Sequence, residues 1–221
     1  MEFIRARTSE QKEVRLSEIK NAARALYETT PFSKITLSKI AAGLPFDRAN
    51  LYKYYSSKEE IYLQILVDEY KCYQDALAHR LQGLQDESRF CEVCADTIYS
   101  YPLLIGLYTI WASTLEPMVP VETAAAAVGT IFEHGKALNS AVQKVLPDFS
   151  FEETRRLLWY KMRFISGMSS RITGGDRHNE AMIAAGVSPM QTNYRDALAK
   201  FLRVVIAGIR ACRDSDSPSE K

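Results

Sequence analysis

The sequence predicts an all-α chain, with an N-terminal three-helix unit built around a helix-turn-helix and a larger helical bundle after it. Three observations predict this. Apolar residues recur at three- and four-residue spacing along most of the chain, and no segment alternates as a strand would. Helix punctuation is frequent: Ser-x-x-Glu boxes begin at Ser57 and Ser150, and prolines stand at 102, 117, 120 and 147. The segment from Ile40 to Ile61 holds a short apolar helix, a tight turn, a second short helix and the start of a third.

The elements follow in order. Ile19, Ala22, Ala23 and Leu26 share one face of a first helix. Thr36 precedes Leu37, Ile40 and Ala41 and is placed to N-cap the second. Asp47 is placed to cap the third, at about Asp47 to Tyr54. Leu51 and Tyr55, four apart, should face its core. Arg48, Ala49, Asn50, Tyr52, Lys53 and Tyr54 then fall on the other sides. Ser57 and Glu60 open a long helix to about Leu84, with Lys58 in its first turn. Further helices are expected at about Ser88–Ser100, Leu103–Leu115, Val121–Val145 and Ser150–Thr173. Gly174 to Asn179 should be a polar loop. Ser188, Pro189 and Gln191 form a start signal for a last helix to about Cys212. The expected domains are residues 1–57, 58–213 and a polar tail at 214–221.

The third helix carries the chemistry of DNA recognition. A guanidinium (Arg48) and an amide (Asn50) can reach base edges, while Tyr52, Lys53 and Tyr54 can reach phosphates. The amides following Thr36, and Lys58 at a helix N-terminus, are further candidates for phosphate. An ordinary charged surface helix fits the spacing alone as well.

The run resembles the signature of the TetR family of bacterial transcriptional regulators. Ile40, Ala41, Leu51, Tyr52, Ser57, Lys58 and Glu59 match without a gap, with Tyr54 and Tyr55 at the family's His and Phe places. Ile19, Ala22, Ala23, Leu26 and Tyr27 resemble its first helix, and Pro31, Phe32 and Thr36 lie where its next loop falls. The resemblance covers residues 15 to 65. Three positions depart from it. Pro45 stands at the turn glycine, so the turn must be built differently, with Gly43 able to take the left-handed dihedral. Ala49 replaces a second glycine, and Asp47 the usual serine cap.

The resemblance implies a homodimer, a palindromic double-stranded operator and a small-molecule effector. Recognition helices about 34 Å apart read successive major grooves. The implied dimer face lies on the last two long helices, with Leu158, Ile165, Leu198, Leu202, Val205 and Ile209 as candidates. Those stripes can also serve the monomer core. The implied effector pocket lies in the aromatic-rich middle, with Tyr99, Tyr108, Trp111, Phe132, Trp159 and Met162 as candidates, and these can equally be solid core.

Composition bounds the rest. Net charge is +1, divided as +3 over residues 1–60 and −2 over the remainder, so non-specific DNA affinity should be modest. No apolar run reaches the roughly eighteen residues of a membrane span, and no signal peptide is legible, so a cytoplasmic protein is expected. Cys91 and Cys94 form a lone CxxC, read as buried thiols or as a redox or metal pair. His79, His134 and His178 are scattered; no catalytic constellation, metal site or cofactor is expected. The reading is a ligand-released repressor. Its rivals are a regulator switched by a partner or by cysteine oxidation, and an enzyme using the aromatic cavity.

Overall fold

The computed structural model describes residues 9–172, 177–188 and 193–216, which form helices joined by turns. The helices are α1 (Ser9–Thr29), α2 (Leu37–Ala42), α3 (Arg48–Leu51), α4 (Lys58–Arg80), α5 (Glu87–Tyr99), α6 (Pro102–Ile110), α7 (Val121–His134), α8 (Lys136–Val145), α9 (Phe151–Ile172), α10 (Arg177–Ala184) and α11 (Tyr194–Asp216). Two compact units result. One is Met1–Asp68 with Ile110–Gly129; the other is Glu69–Thr109 with Thr130–Lys221. The expected boundary after residue 57 coincides with the start of α4, whereas this division falls inside α4 and again inside α7. No single described helix is long and apolar enough to cross a membrane.

In the first unit, Ile19 and Ala23 of α1, Ile40 of α2, Leu51 of α3 and Ile61, Ile65 and Leu66 of α4 are buried together at 1% exposure or less. Polar ties fix the angles between these helices. Tyr62 is buried and donates its hydroxyl to the Ala23 carbonyl at 2.7 Å, which joins α4 to α1. Burial pushes its phenol well above the usual tyrosine range, so it stays a donor. Lys20 pairs with Asp68 at 2.5 Å across the same two helices.

In the second unit α11 packs on α5 and α9, and α8 packs on α9. The core includes Phe90, Cys91, Cys94 and Ile98 of α5, Leu157, Lys161 and Ile165 of α9, and Leu198, Leu202 and Ile206 of α11. Ser150 and Glu153 close a reciprocal capping box: Glu153 N donates to Ser150 Oγ at 3.2 Å and Ser150 N to Glu153 Oε2 at 2.7 Å. An ion-pair lattice ties the end of α11 to neighbouring elements. Arg210 grips Asp148 through two nitrogens and reaches Glu87 at 2.7 Å, while Arg213 reaches Glu153 at 2.9 Å.

Several expected boundaries shift. The long helix expected over Val121–Val145 breaks at Gly135 into α7 and α8. A Cβ at Gly135 would lie 2.6 Å from Gln74 Nε2, which donates to the Ile131 carbonyl; only glycine admits that approach. Pro102 begins α6 instead of merely ending α5, because its missing N–H costs nothing in a first turn. The Leu103–Leu115 helix widens after Ile110 into a π turn, Trp111–Leu115. Arg177, His178 and Asn179, expected in a loop, belong to α10; Thr173 to Asp176 lie outside the described residues. The last helix starts at Tyr194, capped by Asn193 Oδ1, and runs on to Asp216; Pro189 and Gln191 of the expected start lie outside the described residues.

Candidate functional site

The helix-turn-helix is assembled by caps. Thr36 Oγ1 accepts from Lys39 N at 3.3 Å and starts α2. Asp47 Oδ1 accepts from Asn50 N at 2.8 Å and starts α3. The cap engages one oxygen of the Asp47 carboxylate. Gly43 does not take a left-handed dihedral: its φ is −90°, and the turn closes through Gly43 N to Ile40 O and Leu44 N to Ala41 O. Pro45 is therefore compatible with a turn that needs no positive φ. Phe46, after it, lies under the Arg15 guanidinium at 4.8 Å.

Leu51 at 0% and Tyr55 at 2% exposure anchor α3 in the core, as their spacing implied. Tyr55 donates to Gln64 Oε1 at 2.6 Å, and burial raises its phenol well above the usual range. The opposite face is open. Asp47, Arg48, Ala49, Tyr52 and Lys53 are exposed; Asn50 and Tyr54 are half-buried. Regular helix ends at Leu51 and a looser turn carries Tyr52 to Tyr54, held by Lys53 N to Asn50 O and Tyr54 N to Leu51 O.

The open side chains are pre-arranged in pairs. Arg48 donates to Tyr52 Oη through Nε at 3.1 Å and Nη2 at 2.5 Å, one helical turn apart. Lys53 Nζ donates to Asn50 Oδ1 at 2.9 Å, which leaves the Asn50 amide nitrogen free to donate outward. The surface thus presents a guanidinium, a carboxamide, a phenol and an ammonium on one short helix and the turn that follows it.

Lys58 does not belong to that surface. Its ammonium donates to the Phe32 and Ile35 carbonyls, both at 2.9 Å, and lies 4.3 Å above the Phe32 ring. The expectation of a free phosphate-binding lysine is corrected, because its protons are directed at the loop before α2. The capping box at Ser57 is also modified. Glu60 N donates to Ser57 Oγ at 3.1 Å, but Glu60 Oε2 accepts from Ser56 N at 2.7 Å.

The expected pocket residues do not gather as one set. In the second unit Tyr108 and Met162 are buried, whereas Phe132 and Trp159 are 43% and 50% exposed. Trp159 meets Tyr160 edge-on and lies under Arg163; Phe132 lies 6.0 Å from the Arg155 guanidinium. Tyr99, half-buried, meets Arg195 at the end of α5. Trp111 belongs to the first unit. Tyr73, buried, and Tyr70, half-buried, on α4 join this aromatic group and were missed among the expected pocket residues. Tyr73 contacts Tyr70 and Tyr101 edge-on, and Tyr70 contacts Tyr108.

The expected dimer residues are largely used inside the subunit. Ile165, Leu198, Leu202 and Ile209 are at most 8% exposed, and Leu158 and Val205 are half-buried. The correction comes from α11 packing on both α5 and α9, which consumes its most apolar stripe. A different face of the same two helices stays open: Trp159 at 50%, Val204 at 70%, and Gly208 and Ala211 exposed beside the stacked pair Phe164–Phe201.

Burial pushes the Cys91 thiol up to about 12 and the Cys94 thiol to about 11, so neither is a thiolate at neutral pH. Among the described residues no group of three His, Cys, Asp or Glu is placed to hold a metal ion.

Comparison with known proteins matches two consecutive segments of the chain. Residues 19–65 match the family described as bacterial regulatory proteins, tetR family, and residues 67–213 match the tetracyclin repressor-like C-terminal domain. The chain is similar to the nucleoid occlusion factor SlmA of Idiomarina loihiensis, at 25% identity over 160 residues, covering 68% of this chain and 75% of that protein. Its fold is similar to that of Thermus thermophilus FadR, a TetR-family transcriptional repressor solved in complex with lauroyl-CoA. That likeness has a TM-score of 0.51 at 18% identity and covers 80% of this chain and 97% of that one. The TetR-family regulator PfmR, also from Thermus thermophilus, is similar with a TM-score of 0.50 at 16% identity, over 85% of this chain and 96% of that one.

Proposed function

The chain belongs to the TetR family of bacterial regulatory proteins, and on that premise we propose that it is a homodimeric repressor released from a palindromic operator by a small molecule. The observation that carries the proposal is the open face of α3. Arg48 and half-buried Asn50 on the helix that Asp47 caps and Leu51 buries, and Tyr52 and Lys53 on the turn after it, line that face. Arg48 and Asn50 are the base readers; Tyr52, Lys53 and Tyr54 contact phosphates, and Ala49 is small enough for close approach. The amides capped by Thr36 face the neighbouring phosphate.

The dimer face in this reading is the open side of α9 and α11: Trp159, Tyr160, Phe164, Phe201, Val204 and Gly208. Exposed apolar side chains beside small residues let two helix pairs approach closely, and a two-fold axis through them makes each patch its own partner. The effector site is assigned to the second unit, around Tyr70, Tyr108 and Met162. The FadR complex with lauroyl-CoA supports a small-molecule effector in principle. Binding there must favour the arrangement whose recognition helices are mis-spaced for DNA, and α4, common to both units, transmits the difference. Regulation by DNA binding places the protein in the cytoplasm, and catalysis is no part of this reading. Oxidation of Cys91 and Cys94 is disfavoured as the switch, because both thiols are buried and protonated.

The test is selection of an operator from random duplexes by the full-length protein, followed by fluorescence anisotropy at several salt concentrations. A palindromic consensus bound by a dimer is expected. Enrichment of no sequence would sink the proposal.

A further inference from the structure

Lys161 lies on the core side of α9 and is 1% exposed. Its ammonium donates to the Tyr73 hydroxyl and lies 4.7 Å from the Tyr73 ring. The other titratable group that acts on it is the Cys94 thiol of α5, which burial keeps neutral. Among the described residues no carboxylate lies within ion-pair distance of it. A buried ammonium without an anion is a costly arrangement, and native cores ordinarily pair such a group. Burial lowers Lys161 only to about 8, so at neutral pH it remains mostly charged.

The neighbouring groups define what would complete it. The Tyr73 oxygen accepts from Lys161, so its own proton is directed elsewhere, and burial holds that phenol protonated. Lys161 keeps further ammonium protons, and Tyr73 a phenolic O–H, to donate. A carboxylate has two acceptor oxygens and one negative charge; a phosphate, with more acceptors and charge, would need more donors than these. The surroundings are aromatic: Tyr70 and Tyr101 flank Tyr73, and Tyr108 adjoins Tyr70.

We propose that Lys161, with Tyr73, is the counter-charge for a carboxylate on the effector, which is therefore an organic acid with an apolar or aromatic body. The proposal rests on the effector reading given above and narrows its chemical class.

The experiment uses the full-length protein and three matched series: alkanoic acids of eight to fourteen carbons with phenylacetic acid, their methyl esters, and the corresponding primary alcohols. Binding is read by calorimetry at pH 8 in two buffers of different ionisation heat, and by release of the selected operator. Acids should bind, esters and alcohols should bind at least ten-fold more weakly, and acid binding should take up a fraction of a proton as Lys161 becomes fully charged. Lys161→Met and Lys161→Gln should each lose at least ten-fold in acid affinity and all of the proton uptake. Lys161→Gln can still reach the Tyr73 hydroxyl, so it separates loss of charge from loss of a hydrogen bond. Without ligand at pH 7, Lys161→Met should unfold no earlier than the wild type. Esters or alcohols binding as tightly as acids would overturn the proposal and leave the effector reading standing. So would unchanged acid affinity in both variants, or earlier unfolding of Lys161→Met. If no compound of any series binds or releases DNA, the effector reading itself fails and the proposal falls with it.

Discussion

Replacing Lys58 by methionine separates two accounts of one residue. As a surface lysine at a helix start, Lys58 would be a phosphate contact. In the folded chain it clamps the loop before α2 to α4, with two hydrogen bonds of 2.9 Å and a cation–π contact of 4.3 Å. Methionine keeps the apolar stem and removes only the ammonium. A hydrogen bond to a charged group contributes about 1.5–3 kcal/mol net, and a partly exposed cation–π contact about 0.5–1. The Lys58 side chain is 18% exposed, so water can re-solvate part of what is lost. The two carbonyls share one donor group, so their contributions do not simply add. The expected loss is about 2–3 kcal/mol, which for a chain of this size lowers the melting temperature by about 5–10 °C. The assay is thermal unfolding by circular dichroism, paired with operator titrations across a salt series well below the transition. Affinity should fall modestly, because the loop that positions α2 loosens, and the salt slope should stay as in the wild type. An unchanged melting temperature, with a log–log salt slope reduced by about 0.9, would refute this reasoning and return Lys58 to the phosphate backbone.

Other perturbations follow from the same contacts. Arg48→Ala should weaken operator binding by about 1–3 kcal/mol and relax sequence preference in a repeated selection, with little change in melting temperature; equal weakening on all duplexes would make Arg48 a phosphate contact. Val204→Arg, at a site 70% exposed, should leave the subunit folded but give a monomer by sedimentation, and persistence of the dimer would move the interface elsewhere. Lys161 has a folded-state value near 8 against 10.5 unfolded, so the unfolded chain binds the extra proton between them and stability rises with pH through that window. The buried thiols act oppositely above about 9, so the signature is a wild-type minus Lys161→Met difference that grows from pH 8 to 9 by up to about 1.4 kcal/mol. A pH-independent difference would show that Lys161 titrates normally.

Much of the first unit is local and therefore legible in the sequence. A cap acts over three residues, so Thr36, Asp47 and Ser57 could be assigned from spacing, and each hydroxyl or carboxylate accepts the amide expected of it. Helical periodicity put Leu51 and Tyr55 inward and left Arg48 and Tyr52 outward for the same reason. What local spacing does not hold is the partner across the fold. Lys58 reads as a surface charge until the carbonyls of Phe32 and Ile35 are brought to it from 26 and 23 residues away. Gly135 stands at a helix break where Gln74, distant in sequence, approaches to within 2.6 Å of the place of a Cβ. Leu198 and Leu202 read as a dimer seam that could also serve the core, and the packing of α11 on α5 and α9 buries both inside the subunit. Lys161 falls in helical register with Leu157 and Ile165, yet its charge assigns it to solvent in any reading by residue type. The sequence by itself determined most of the helices, the caps at Thr36, Asp47 and Ser57, and which α3 side chains face inward, because those are set by neighbours a turn away. The tertiary structure decided which charges are buried and which apolar faces remain open, because both depend on what other helices cover.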